Sequence, residues 1–251
     1  MNEERFTGKA DIYKKYRPSY PKELFDYLYS QVGFNQNNAI ADIGSGTGIF
    51  SRLLLERGSK VYCVEPNEDM RRTAEKDLSG FENFISVNGN DKNTGLQDKS
   101  IDFVTAAQAF HWFDRQAFKS ECQRIIKPGG KVVIIYNSKD ADNEIVRKAD
   151  ETINKYCPDT KGHRQRGEPP EYYADLFAGG VCEYKTYRND EKFNRESFIG
   201  RNLSSSYSPS EETDPEKYHG FVKELNVLFD DCNINDVLIV PQTTKSYVGM
   251  V

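Results

Sequence analysis

The sequence predicts an α/β fold built on a mostly parallel sheet. Five short apolar runs alternate with stretches of helical periodicity, and this alternation is typical of parallel strands joined by helices. The runs are residues 39–43, 61–64, 84–87, 101–107 and 131–136. A glycine-rich turn follows the first run, which predicts a ligand site at the carboxyl edge of the sheet.

The first strand and the turn after it carry the strongest motif in the chain. The turn consists of Gly44, Ser45, Gly46, Thr47 and Gly48, and Asp42 lies two residues before it. Glycine admits positive φ and lets a ligand approach the main chain closely. The helix that begins at Ile49 presents free N–H groups to an anionic or electron-rich ligand.

The second strand ends in Glu65, about twenty residues after Gly44, where a carboxylate characteristically accepts hydrogen bonds from two ribose hydroxyls. This spacing predicts a nucleoside site. A dinucleotide fingerprint needs glycine at its sixth position, where this chain has Ile49. The third glycine comes one residue earlier, at Gly48, so that with Asp42 the motif becomes Asp-x-Gly-x-Gly-x-Gly.

That motif resembles motif I of the class I S-adenosylmethionine-dependent methyltransferases. The resemblance implies a Rossmann-like, seven-stranded, mostly parallel sheet with helices on both faces, an antiparallel last strand and a small cap from insertions. It implies S-adenosylmethionine as cofactor and S-adenosylhomocysteine as product. The residues assigned to cofactor binding are Asp42, Gly44, Ser45, Gly46, Gly48, Glu65, Pro66, Met70, Asn90, Asp91 and Gln108.

Three of these assignments have simpler alternatives. The resemblance implies that Met70 lies near the adenine, although methionine at such a position is more often part of the core. It also implies that Asn90 or Asp91 accepts a hydrogen bond from the adenine amino group. Asn and Asp beside a glycine also favour a polar turn on their own account.

The fourth strand runs directly into Gln108-Ala109-Phe110-His111-Trp112-Phe113-Asp114. His111 is the candidate catalytic residue, as a general base or as a donor to a substrate oxygen, and a packing role is the alternative. Trp112 and Phe113 provide apolar walls that exclude water from a reaction site. Asp114 is a candidate cap for the following helix, and Asn67 is the candidate cap for the helix that follows the second strand.

Substrate and lid residues are expected outside the sheet. The lead-in Tyr-x-x-Tyr-Arg-Pro-x-Tyr-Pro resembles the segment that closes over the cofactor in these enzymes, which makes Tyr13 and Arg17 candidates. Arg17 would pair with a carboxylate of the methionine moiety or of the substrate, or would belong to a solvated packing arm. The Ser-x-Ser-Tyr-x-Pro motif resembles the substrate-cap region of the small-molecule methyltransferases. The further candidates are Trp112, Arg201, Tyr207, Arg164 and Arg166.

The chain is predicted to form a single domain, residues 1–251. Its parts are a lid and helix (1–33), a cofactor-binding core (34–137), two cap-like insertions (138–180 and 189–233) and a final strand (234–251). The second half is predicted to contain helices at 142–156, 171–177 and 215–229, a strand at 181–188, and one final bent strand made of 236–240 and 245–248.

Composition limits the possible partners. The net charge is −5, from 34 basic and 39 acidic residues, without long blocks of like charge, which argues against nucleic acid. No apolar run approaches membrane length, so a cytoplasmic protein is expected. The five cysteines are scattered without metal-ligand spacing, which predicts free thiols and no metal.

The His-Trp-Phe-Asp and Tyr-Arg-Pro-x-Tyr-Pro motifs most resemble those of the methyltransferase type 11 group, which includes the trans-aconitate methyltransferases. That resemblance implies a small-molecule substrate and carboxyl O-methylation of a small organic acid. Methylation of a hydroxyl or amine with His111 as base is the alternative, and a non-catalytic regulatory protein that binds S-adenosylmethionine is another. Substrate identity and oligomeric state stay open.

Overall fold

The computed structural model describes residues 15–158, 168–205 and 208–251. The strands within these ranges are β1 (Ala39–Ile43), β2 (Lys60–Val64), β3 (Phe84–Val87), β4 (Ile101–Ala107), β5 (Ile126–Lys139), β6 (Glu183–Arg188), β7 (Glu191–Phe193), β8 (Leu238–Val240) and β9 (Gln242–Gly249). The α-helices are α1 (Lys22–Tyr27), α2 (Ile49–Leu55), α3 (Glu68–Leu78), α4 (Arg115–Ile125), α5 (Glu144–Tyr156), α6 (Arg195–Leu203) and α7 (Pro215–Cys232). None of the helices in these ranges is both long and apolar enough to cross a membrane.

Seven strands form the main sheet in the order β3-β2-β1-β4-β5-β9-β6. Strands β1 to β5 are parallel to one another, and β9 runs antiparallel between β5 and β6. The prediction of a seven-stranded, mostly parallel sheet whose last strand is antiparallel is therefore confirmed. β1, β3 and β4 have the predicted bounds, whereas β5 extends beyond the predicted run at both ends.

Helices cover both faces of the sheet. Leu24, Phe25, Phe50, Leu54 and Leu78, from α1, α2 and α3, pack into one hydrophobic cluster against strand residues. The opposite face is covered by α4, whose Phe118, Cys122 and Ile125 are fully buried. Successive residues of a strand point to opposite faces of the sheet and so enter different hydrophobic clusters. Because both faces are buried, the first five strands are continuously apolar.

Two helices begin at the caps that the sequence predicted. The Asn67 side chain accepts a hydrogen bond from the main-chain N–H of Met70 at 3.0 Å. The Asp114 carboxylate accepts one from Ala117 N–H at 3.1 Å. Because these side chains satisfy helix N–H groups that have no partner within the helix, they fix where α3 and α4 start beside the sheet edge.

The prediction of one final bent strand is wrong. Leu238–Val240 pairs with β7 in a separate two-stranded sheet, whereas Gln242–Gly249 enters the main sheet beside β5. Pro241 lies between them, and because proline has no N–H and a fixed φ it interrupts the strand. Strand β7 was not predicted, because three residues form too short a run to show alternation.

The first insertion also differs from its prediction. Residues 171–177 do not form a helix: a 3-10 turn covers Pro170–Tyr173. Tyr173 and Phe177 are buried against the main sheet, in the same cluster as α4, and do not belong to a cap. Ser138 and Lys139, assigned to the cap, are the last residues of β5.

The cap is built from α5, α6, α7, β7 and β8 around its own hydrophobic cluster. Helix α7 is its centre, because it packs against both α5 and α6. Phe221 on α7 is fully buried, with its ring centroid 5.8 Å from that of Tyr156 on α5. This aromatic pair is one of the contacts that join α5 to α7 within the cap core.

Phe221→Ala should lower the free energy of unfolding by about 3–5 kcal/mol, because it removes a buried aromatic side chain and leaves a cavity between α5 and α7. Urea unfolding followed by circular dichroism measures this change. Val227→Ala on the same helix is the matched control, since Val227 is 52% exposed, and it should cost no more than about 0.5 kcal/mol. Equal effects of the two substitutions would contradict this account of the cap core.

Candidate active site

A cavity of about 540 Å³ lies at the carboxyl edge of the sheet and continues beneath the cap. We call the part formed by residues 44–47 and 65–67 the loop end, and the part formed by Arg17, Lys139, Asp150, Arg201 and Gln242 the cap end. The predicted site residues that line the cavity are Arg17, Asp42, Gly44, Ser45, Gly46, Glu65, Pro66, Met70, Asn90, Asp91, Gln108, His111, Trp112 and Arg201. The other candidates Tyr13, Arg164, Arg166 and Tyr207 lie outside the described residues.

Gly48 is the exception among the described candidates, because it does not line the cavity. A Cβ at this position would lie 2.6 Å from Leu78 Cδ1 and 3.5 Å from Ala74 Cβ, both on α3. Its assignment to cofactor binding stays a prediction, and the contact shows that Gly48 allows α2 to pack closely on α3. The sequence could not show this role, because α3 lies next to Gly48 only in the folded protein.

The two preceding glycines shape the loop end differently. A Cβ on Gly44 would lie 2.6 Å from Ala109 Cβ, so this glycine lets the segment after β4 approach the turn. A Cβ on Gly46 would meet no heavy atom within 4 Å. Both have positive φ, 69° and 57°, which glycine adopts without strain. The turn is therefore anchored at Gly44 and open towards a ligand at Gly46.

Glu65 connects the two loops of the loop end. Its Oε2 accepts a hydrogen bond from Gly46 N–H at 2.8 Å, and its Oε1 accepts one from Asn67 N–H at 2.9 Å. Burial raises the pKa of this carboxyl, and the two main-chain donors oppose that change. Since each carboxylate oxygen can accept more than one hydrogen bond, Glu65 retains acceptor capacity for ligand hydroxyls.

Asp42 is fully buried at the end of β1. Its carboxylate accepts hydrogen bonds from Ser51 Oγ on α2 at 2.6 Å and from Thr105 Oγ1 on β4 at 2.8 Å. Burial raises its pKa to about 6, although both hydrogen bonds lower it. The contacts of Asp42 join β1, α2 and β4, so it positions the turn that carries Gly44 and Gly46.

Asn90 and Asp91 are held by main-chain N–H groups. Asn90 Oδ1 accepts from Lys92 and Asn93 N–H, both at 3.0 Å, which is the polar turn that Asn favours. Asp91 Oδ2 accepts from Asp114 N–H at 2.8 Å, which joins the loop after β3 to the start of α4. Both side chains therefore have fixed positions in the cavity wall.

The segment after β4 places His111 in the cavity. Gln108 has a positive φ of 58° and donates through Nε2 to Asn137 O at 3.1 Å, which turns the chain away from the sheet. His111 follows in a 3-10 turn, with Nδ1 3.4 Å from Tyr136 Oη and its ring centroid 4.8 Å from that of Trp112. An imidazole in this position can donate or accept a proton at the cavity.

The cap end is strongly charged. Arg17 Nη2 donates to Ser204 O at 3.4 Å, and Arg201 Nε lies 3.9 Å from Glu191 Oε1. Lys139 and Asp150 also line this end of the cavity. Sequence reasoning missed Lys139, although its place at the carboxyl end of a parallel strand could have indicated it.

The residues that the structure describes contain no group of three or more His, Cys, Asp or Glu side chains arranged to hold a metal ion. All five cysteines are described and are free thiols, as predicted.

The sheet order, the glycine turn and the acidic strand end define a class I methyltransferase fold. Residues 41–134 match the type 11 family model described as "Methyltransferase domain". Over these residues the chain is similar to the type 11 methyltransferases, and its fold is that of the class I S-adenosylmethionine-dependent methyltransferases. The narrower resemblance to trans-aconitate methyltransferases stays a prediction.

Similar proteins cover most of the chain or its core. An uncharacterized methyltransferase of Schizosaccharomyces pombe is 29% identical over 233 residues, 87% of this chain and 86% of that protein. An uncharacterized methyltransferase of Mycobacterium tuberculosis H37Rv is 31% identical over 150 residues, 60% of this chain and 59% of that protein. A solved structure described as a type II methyltransferase from Anaeromyxobacter dehalogenans superposes with a TM-score of 0.67 at 21% identity, over 93% of this chain and 97% of that one. This last likeness supports the fold.

Asp42→Asn should alter how stability depends on pH. Because the folded-state pKa of Asp42 is about 6 and its ordinary value is 3.8, the native state binds the proton more tightly. The free energy of unfolding should therefore fall as pH rises through this window and level off above it. Relative to the wild type, Asp42→Asn should gain about 2 kcal/mol between pH 4 and pH 7.

Urea unfolding at pH 4, 5, 6 and 7 measures this difference. Asp231→Asn, at the exposed end of α7, is the control and should change far less. A difference between wild type and Asp42→Asn that does not vary with pH would contradict the cost assigned to burying this carboxylate.

Proposed function

We propose that this methyltransferase transfers a methyl group from S-adenosylmethionine to a carboxylate oxygen of a small organic acid. The observation that carries the proposal is the single cavity that joins the glycine turn and Glu65 to the cationic side chains beneath the cap. A donor site and a site for an anionic acceptor would then share one enclosed space.

The loop end fits the nucleoside part of the cofactor. The open space beside Gly46 lets a ligand lie against the main chain, and Glu65 has acceptor capacity for the two ribose hydroxyls. Met70 is 3% exposed and lines the cavity, so its flexible thioether can pack on the adenine. Asn90 or Asp91 would face the adenine amino group.

When bound, S-adenosylmethionine supplies a methyl group that is already electrophilic on its sulfonium. The protein then needs mainly to align the acceptor with that methyl group, and alignment alone is a large rate factor. Trp112 and Phe113 would keep water out of the reaction space. A carboxylate is ionised at neutral pH and needs no base.

Cationic residues at the cap end support an acid as the acceptor. Arg17 and Arg201 carry permanent charges, and a guanidinium can hold a carboxylate through two parallel hydrogen bonds. Together with Lys139 they give the cap end three cations, and within the described ranges Asp150 and Glu191 are the acidic groups that act on Lys139. The remaining positive charge favours an anionic substrate over a cationic amine.

A hydroxyl or amine acceptor is the second candidate, and the position of His111 favours it. The histidine lines the same cavity and its ring is close to Tyr136 and Trp112. A neutral alcohol or an ammonium group must lose a proton, and an imidazole is suited to take it. The two candidates differ in what they require of His111, so one substitution separates them.

Glu65→Ala should weaken binding of S-adenosylhomocysteine by a few kcal/mol at most, because the cofactor loses a charged acceptor for its ribose hydroxyls. Calorimetry on the folded protein measures the change, and NAD should not bind to the wild type. Glu82→Ala, on the exposed loop before β3, is the matched control and should leave the affinity unaltered. Wild-type affinity in a folded Glu65→Ala protein would overturn the placement of the ribose.

His111→Gln should mainly raise KM for the acid if the acceptor is a carboxylate, with kcat within about tenfold of wild type. Steady-state kinetics of methyl ester formation provide the measurement. His219→Gln, on the exposed side of α7, is the control and should leave kcat and KM unchanged. A fall in kcat of roughly two to four orders of magnitude with unaltered KM, and a rate profile that titrates near neutrality, would instead establish His111 as a base.

A further inference from the structure

Lys139 is a charged residue of the cavity wall whose side chain has no partner among the described residues. It is the last residue of β5, opposite Gln242 on β9, and lies at the carboxyl edge beside the cap. Among the residues that the structure describes, none forms a hydrogen bond or ion pair with its ammonium. Next to it, the buried side-chain atoms Ser138 Oγ and Gln242 Oε1 also lack partners within the described ranges.

The charged groups that face Lys139 come from four parts of the fold. Arg17 precedes α1, Asp150 belongs to α5, Glu191 to β7 and Arg201 to α6. Glu191 lies 3.9 Å from Arg201, so part of its charge is already opposed by a guanidinium. With Lys139 included, three cations face two carboxylates among the residues that the structure describes.

This environment disfavours the charged form of the lysine. Burial lowers the pKa of Lys139 to about 8, the Arg201 and Arg17 guanidiniums lower it as well, and Glu191 and Asp150 raise it. A bound anion would oppose this effect, because a negative charge close to an ammonium stabilises its protonated form.

We propose that Lys139 is the residue that recognises the negative charge of the substrate, through an ion pair with its carboxylate inside the cavity. This inference rests on the proposed function, since it concerns the acid that would accept the methyl group. It assigns a specificity-determining role to a strand residue of the core, distinct from the two guanidiniums. Because binding favours the ammonium, the lysine takes up a proton when the acid binds above about pH 8, and affinity falls as pH rises.

The test is calorimetric titration of protein saturated with S-adenosylhomocysteine. The probes are succinate, benzoate and cinnamate, each compared with its uncharged amide, at pH 7 and pH 9. The wild type should bind at least one of the acids and none of the amides. Its affinity for that acid should fall about tenfold between the two pH values, because the charged fraction of a group with pKa near 8 falls by that factor.

Three variants distinguish charge recognition from a structural role. Lys139→Met should lose at least tenfold in acid affinity at pH 7 and lose the pH dependence, whereas Lys139→Arg should bind at both pH values because a guanidinium stays charged. Lys192→Met, on the exposed side of β7, is the matched control and should behave as wild type. All three should bind S-adenosylhomocysteine with wild-type affinity, which shows that they are folded.

Equal acid affinity in wild type and Lys139→Met would overturn this inference. Wild-type protein that binds the amides as well as the acids would also overturn it, as would wild-type protein that binds none of the six compounds. Failure of the proposed function would appear separately. In that case an acid that binds would not become a methyl ester, or the methyl group would be found on a hydroxyl or amine acceptor.

Discussion

The loop end depends on the two hydrogen bonds that the Glu65 carboxylate accepts from main-chain N–H groups. One comes from Gly46 after β1 and the other from Asn67 after β2, so a single side chain fixes two loops that neighbouring parallel strands deliver to the same edge. Asn67 in turn caps α3 and accepts from Met70 N–H. The position of the turn, the start of the helix and the thioether in the cavity wall therefore depend on one carboxylate.

Concentrating buried carboxylates at one edge has a free-energy cost, which the surrounding donors reduce. Asp42 and Glu65 end adjacent strands, burial raises the pKa of both, and the negative charge of Asp42 adds to the effect at Glu65. Hydroxyl donors serve Asp42, whereas Glu65 has main-chain donors and the nearby charge of Arg71. These donors suit the positions of the two carboxylates. Asp42 is enclosed by protein groups, whereas Glu65 can still accept hydrogen bonds from a ligand.

Sequence reasoning succeeded where local pattern decides the structure. The strand, turn and helix from Ala39 to Leu55 are contiguous, and the caps Asn67 and Asp114 act within one helical turn, so each could be predicted from a short window. The packing role of Gly48 was missed because its neighbour Leu78 is thirty residues away in sequence. Gln242 was missed because its place opposite Lys139 depends on an antiparallel pairing across more than a hundred residues and on the break at Pro241.

The two ends of the cavity are consequently held by different means. The loop end is fixed by hydrogen bonds between adjacent loops of the sheet, whereas the cap end is assembled from the segment before α1, from β5 and β9, and from the cap helices α5 and α6. Cofactor affinity should thus be insensitive to small movements of the cap. Methyl transfer requires near-linear alignment of acceptor and donor, so the rate depends on how the cap docks. Substitutions at the cap end could then change its charge and shape, and with them the acceptor that fits, without moving Glu65, Asp42 or the glycine turn.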